Sequence, residues 1–85
     1  MNPIKNIHFT LIIRINNRLH EFNFRKRSDD SYDTDTSDDR SNRFYFKMIK
    51  NENVWVISGA GLPKWTLENE GAISDALLKA DENNG

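Results

Sequence analysis

Residues 7–24 read Ile7-His8-Phe9-Thr10-Leu11-Ile12-Ile13-Arg14-Ile15-Asn16-Asn17-Arg18-Leu19-His20-Glu21-Phe22-Asn23-Phe24, and their spacing decides the fold. From Ile7 to Ile15 every odd position is apolar, while His8, Thr10 and Arg14 occupy even ones. A period of two marks a strand with one face buried. Asparagine tolerates positive φ better than other side-chain-bearing residues, so Asn16-Asn17 is expected to form a two-residue hairpin turn. Closing the chain there sets Leu11 opposite Phe22 and Phe9 opposite Phe24. Both pairs are apolar on apolar, so turn chemistry and hydrophobic register agree. The second strand then covers residues 18–26, with Phe22 and Phe24 inward and Glu21, Asn23 and Arg25 outward.

A second hairpin follows the same logic. Residues 43–50 alternate Phe44, Phe46 and Met48 against Tyr45, Lys47 and Ile49, and residues 54–57 form the returning strand. The turn between them decides where Trp55 goes. A two-residue turn at Asn51-Glu52 places Trp55 beside Phe46 and Met48 in the core. A three-residue turn, with Asn53 left-handed, places it beside Ile49 on the outer face. Glu52 disfavours positive φ, which argues for the longer turn. Burying an indole argues for the shorter one, and burial commonly outweighs turn preference, so Trp55 is expected in the core.

Residues 28–42 are rich in Asp, Ser and Thr with one aromatic, Tyr32. Such a composition buries too little apolar surface to offset its ordering entropy, and it reads as a flexible acidic loop between the hairpins. Near the C-terminus Pro63 suits a first helical turn, and Thr66 is placed to cap a second start. Glu68 and Glu70 favour a helix N-terminus. Ile73, Ala76, Leu77 and Ala80 recur at helical spacing and form a buried stripe. Residues 81–85 are expected to fray. The resulting expectation is an α+β domain over residues 1–85: a four-stranded antiparallel sheet of two hairpins (ββββ), packed on one face by a C-terminal helix.

Size and composition narrow the function classes. Eighty-five residues make one domain with a thin core. The absence of Cys removes disulfides, thiolate nucleophiles and Cys-type zinc sites. The N-terminal residues 1–6 lack the apolar stretch of a signal peptide, and no segment reaches membrane-spanning length, so a cytoplasmic protein is expected. The net charge of −1 conceals segregation. Residues 1–27 hold six Lys/Arg against one Glu, whereas residues 28–42 hold six Asp against one Arg. The two hairpins are basic; the loop and the helix are acidic.

Catalytic and metal-binding motifs fail on inspection. Asp33, Asp35 and Ser37 match the first, third and fifth positions of a calcium-binding EF-hand loop. The sixth position, where the turn requires Gly, is Asp38, and the twelfth, where a bidentate Glu belongs, is Phe44. The segment is expected to be solvated and to hold no specific metal. His8 points outward and His20 inward, which separates them. Gly59-Ala60-Gly61 lacks the third glycine and the Lys-Ser/Thr of a phosphate loop and reads as a strand-to-helix connector. Neither an enzyme nor a cofactor is expected.

The informative feature is the uncovered face. One helix covers one side of a sheet. The other side is expected to show Thr10, Ile12, Arg14, Leu19, Asn23, Arg25, Tyr45, Lys47 and Ile49. Of these, Ile12, Arg14, Leu19, Arg25, Tyr45, Lys47 and Ile49 are the candidate binding residues. Two uses fit them. Exposed Ile12, Leu19 and Ile49 suit a protein partner or a homodimer, joined through the sheet face or an edge. Arg14, Arg25, Tyr45 and Lys47 suit single-stranded nucleic acid. In topology alone the ββββα order resembles the repeat of PUR-type and Whirly-type single-stranded nucleic-acid-binding proteins. No diagnostic residue accompanies it, and no family is assigned.

Overall fold

A computed structural model describes residues 7–38 and 40–84; residues 1–6, read above for a signal sequence, lie outside it. The chain is an α+β domain in which an antiparallel sheet packs against a C-terminal helix. Among the described residues five strands, not four, form the sheet: β1 (His8–Ile15), β2 (Arg18–Lys26), β3 (Tyr32–Ser37), β4 (Arg43–Asn51) and β5 (Val54–Ser58). They lie side by side in chain order as a meander. Two helices follow, α1 (Lys64–Glu68) and α2 (Glu70–Asn84). The order βββββαα therefore departs from the ββββα order of the PUR and Whirly repeats.

The first hairpin forms as its spacing dictates. Asn16 and Asn17 take φ of 52° and 65°, both left-handed, and Leu11 pairs with Phe22, Phe9 with Phe24 and Ile13 with His20.

The added strand corrects the expected loop over residues 28–42. Tyr32, Thr34 and Thr36 point into the core, each at most 2 % exposed, and Asp33, Asp35 and Ser37 point out. This is the same period of two, carried by β-branched Thr instead of aliphatic residues. Thr34 sits between Phe24 and Phe46, and Thr36 between Phe22 and Phe44. Small residues on the central strand leave room for large ones on its neighbours. Asp29 and Asp38 build the turns at either end. Asp29 accepts from the Ser31 backbone N–H at 3.0 Å and from its hydroxyl. Asp38 accepts from the N–H groups of Arg40 and Asn42, both at 2.9 Å. The hydrogen bonds from Ser31 hold the Asp29 carboxyl below its usual pKa; at Asp38 the turn's bonds outweigh a desolvation cost of opposite sign. An EF-hand geometry is ruled out for Asp33, Asp35 and Ser37, because they lie on an extended strand.

The β4–β5 turn is a two-residue turn at Glu52-Asn53, one position beyond the expected Asn51-Glu52. Glu52 alone takes positive φ (59°), the pattern of a type II′ turn, despite its propensity. Sliding a two-residue turn by one position preserves which face each residue occupies, so Trp55 is 2 % exposed and belongs to the core. Core burial overrides the Glu52 preference, as the fold requires.

The core joins Ile13, Ile15, Phe22, Phe24, Tyr32, Phe46, Met48 and Trp55 of the sheet to Ile73 and Leu77 of α2. Rings interlock within it: Tyr32 meets Trp55 edge-on at 5.3 Å between centroids, and Phe9 stacks on Phe24 at 5.5 Å. Gly59 packs closely, since a Cβ there would lie 3.1 Å from Phe46 Cβ, and Gly61 suits its left-handed φ of +70°. Pro63 precedes α1 at its N-cap, and Asn69 separates the helices, its side chain donating to the Trp65 carbonyl at 2.7 Å. Thr66 is buried inside α1 and caps nothing. The helix α2 extends to Asn84. The Tyr32 hydroxyl donates to Asp81 at 2.7 Å, and Lys26 reaches the same oxygen at 3.3 Å. Burial, with the Asp81 carboxylate beside it, pushes the Tyr32 pKa far above its ordinary value. Burial also works against the ionised form of Asp81, but Tyr32 and Lys26 outweigh it and hold that pKa low.

Candidate interaction surface

Alternation along each strand assigns the second sheet face. All seven candidate residues lie on it: Ile12 and Arg14 on β1, Leu19 and Arg25 on β2, and Tyr45, Lys47 and Ile49 on β4. The register arranges them in rows. His8, Arg25, Asp33, Lys47 and Ser58 form one row across the sheet; Thr10, Asn23, Asp35 and Tyr45 form the next. The apolar residues do not form one patch. Ile12 (60 % exposed) and Leu19 (66 %) sit near the β1–β2 turn, while Ile49 and Val54 sit at the diagonally opposite corner by the β4–β5 turn.

Between these corners runs a polar ladder. Thr10 Oγ1 donates to Asn23 at 2.6 Å, Asn23 Nδ2 donates to Asp35 at 2.9 Å, and Arg43 pairs with the same Asp35 oxygen. Arg27 pairs with Asp33 at 2.6 Å. A shallow depression of about 420 Å³ lies over this centre, its rim including His8 and Tyr45. Among the described residues no carboxylate forms an ion pair with Arg14, Arg25 or Lys47. Asp33 and Asp35 were not anticipated on this face. The alternation Tyr32, Thr34, Thr36 was the signal that would have placed them there. They change the electrostatics, since a strand of phosphates crossing the middle of the face meets two carboxylates. Tyr45, at 68 % exposed, is the aromatic available for stacking, because Trp55 is buried on the other side.

The sheet edges differ from each other. In β1 the backbone groups of the odd residues bond to β2, a pattern continued by Lys26 N–H donating to the Ile7 carbonyl at 2.9 Å. The groups of His8, Thr10, Ile12 and Arg14 therefore point away from the sheet, and among the described residues nothing takes them up. On β5 the outward N–H groups are occupied. Trp55 N–H donates to Ser74 Oγ and Ile57 N–H to Glu70 Oε2, both at 2.8 Å. Glu70 and Ser74 are one turn apart on α2, so a single helix face closes this edge. The Glu70 side chain thus has a partner that helix-terminus electrostatics did not reveal.

The histidines stay apart. His8 lies on the outer face, and His20 lies inward with its ring stacked on Trp65 at 4.5 Å. Among the described residues no group of three or more His, Asp or Glu could hold a metal ion, and no helix is long and apolar enough to cross a membrane. No protein-family model, curated protein or solved structure matches this chain.

Proposed function

We propose that the chain is a non-catalytic interaction module that meets a protein partner, or a second copy of itself, through the side of the sheet the helices leave open. The observation that supports this is the combination of exposed Ile12 and Leu19 on the uncovered face, with Ile49 at its far corner, and an adjoining strand edge whose hydrogen-bonding groups have no partner among the described residues. Apolar side chains and unpaired backbone groups on one surface are what protein partners recognise. A chain without cysteine is suited to a reducing compartment, which favours the cytoplasm. Single-stranded nucleic acid is the second reading. Arg14, Arg25 and Lys47 favour it, whereas Asp33, Asp35 and a lone stacking ring disfavour it.

Photocrosslinking in the producing cell separates the two. Benzoylphenylalanine replaces Tyr45 on the open face or, as a control, Lys79 on the exposed side of α2. Adducts from position 45 that protease removes and nuclease leaves intact support the proposal. Nuclease-sensitive adducts support the second reading; an absence of adducts both at position 45 and, in a second variant, at Ile12 beside the β1 edge overturns both.

A further inference from the structure

β1 is an eight-residue edge strand, His8-Phe9-Thr10-Leu11-Ile12-Ile13-Arg14-Ile15, paired to β2 without a bulge. It contains none of the devices that protect exposed edges: no proline, no lysine and no interruption. Arg14 is its one charged residue at pH 7. Phe9 and Leu11, on the inner side of this edge, are only half buried. Left open, such an edge is a template for another strand.

We infer that the β1 edge pairs with the β1 edge of a second copy, antiparallel about a two-fold axis through Leu11, joining two five-stranded sheets into one. This rests on the reading of the sheet's open side as an interaction surface, and it names the partner. The sequence of β1 is chemically symmetric about Leu11. With Leu11 opposite its own equivalent, Phe9 faces Ile13 and Ile7 faces Ile15 on the inner side. On the outer side Thr10 faces Ile12 and Arg14 faces His8. Every inner pair is apolar on apolar, and Arg14 meets no charge of its own sign. In this register the N–H and C=O groups of His8, Thr10, Ile12 and Arg14 face the same groups of the partner strand, so all become bonded. Placing the axis two residues to either side shortens the paired segment.

The opposite edge determines where assembly stops. Glu70 and Ser74 occupy the outward N–H groups of β5, so a joined pair has both outer edges closed. An open edge at one side only yields an isologous dimer rather than a filament.

Sedimentation of the full chain and a single-cysteine test check this together. The unaltered chain is expected to sediment at twice its monomer mass. Ile12→Pro removes an N–H that no described intrachain bond uses, so the monomer should retain its circular dichroism while the dimer is lost. The chain has no cysteine of its own. Leu11→Cys should form a disulfide-linked dimer under air, because facing non-hydrogen-bonded residues lie about 4.5 Å apart between Cα atoms, within disulfide range. Phe9→Cys, set about four residues from its equivalent across the axis, should not. A chain that remains monomeric at several hundred micromolar, or a dimer that survives Ile12→Pro, overturns the inference. Protein adducts from position 45 in a monomeric chain would overturn the dimer alone and leave the wider reading intact.

Discussion

Exchanging Thr34 and Thr36 for valine, one at a time, makes the same chemical change at two core positions of one strand. Thr34 is 2 % exposed, and among the described residues its hydroxyl has no hydrogen-bond partner. Thr36 is fully buried, and its hydroxyl donates to the Glu21 carbonyl at 2.9 Å. Burying a hydroxyl without a partner costs about 1–3 kcal/mol in proteins. Thr34→Val removes that cost in nearly the same volume and should stabilise the domain by a similar amount. Thr36→Val instead removes a made bond, with a net loss of about 0.5–1.5 kcal/mol. Strand propensity and volume change are shared, so the difference between the variants, about 1.5–4.5 kcal/mol, isolates the hydrogen bond. For a domain of this size 1 kcal/mol moves the thermal midpoint by about 4–8 °C, so the two midpoints should differ by at least about 6 °C. Thermal denaturation followed by circular dichroism measures this directly. Two neutral substitutions would show that residues 32–37 do not form a buried central strand. Two equally destabilising ones would show that the Thr34 hydroxyl has a partner.

Four further outcomes follow from the packing. Ile73→Ala or Leu77→Ala empties a fully buried position and should cost about 2–5 kcal/mol, enough to unfold much of a small domain; urea denaturation checks it. Ser74→Ala deprives the Trp55 N–H of its acceptor and should cost about 1–3 kcal/mol, with faster hydrogen exchange at Trp55 than at Ile57, which keeps Glu70. The Asp81 pKa is lowered in the folded chain, so Asp81 contributes stability above the titration of an unfolded Asp, near pH ~3.9, and loses it as pH falls through the lower folded value. Asp81→Asn should therefore lower stability at pH 7 and reduce the decline below pH ~4, as urea midpoints at pH 7 and at low pH will show. In a Trp65→Phe chain the buried Trp55 should emit at short wavelength, resist quenching, and stay unchanged when oligo-dT is added at low salt. A red-shifted emission that responds saturably to the oligonucleotide and reverts with salt would restore the nucleic-acid reading.

Local chemistry in the sequence determined the first hairpin completely. Asn16 and Asn17 supply a turn that few residues allow, and the apolar spacing on either side permits one register. The inward stripe of Ile73 and Leu77 was equally legible, because helical spacing selects it without reference to the sheet. So was the placement of the seven candidate residues on the open face, since alternation assigns sides within each strand that was recognised. The central strand was concealed because composition averages over position. Six Asp in fifteen residues describe a solvated loop, yet Tyr32, Thr34 and Thr36 occupy one side, and flanking Phe residues on β2 and β4 supply the burial that they lack. The turn at Glu52 shows the same priority, with a disfavoured φ held in place by the burial of Trp55. Alternation with Thr34 and Thr36 sets Asp33 and Asp35 on the outward side, but only the tertiary arrangement made β3 the middle strand of the open face, and only it brought Glu70 and Ser74 against β5. Which edge of a sheet is closed depends on where a distant helix comes to rest, and no spacing within a strand encodes that.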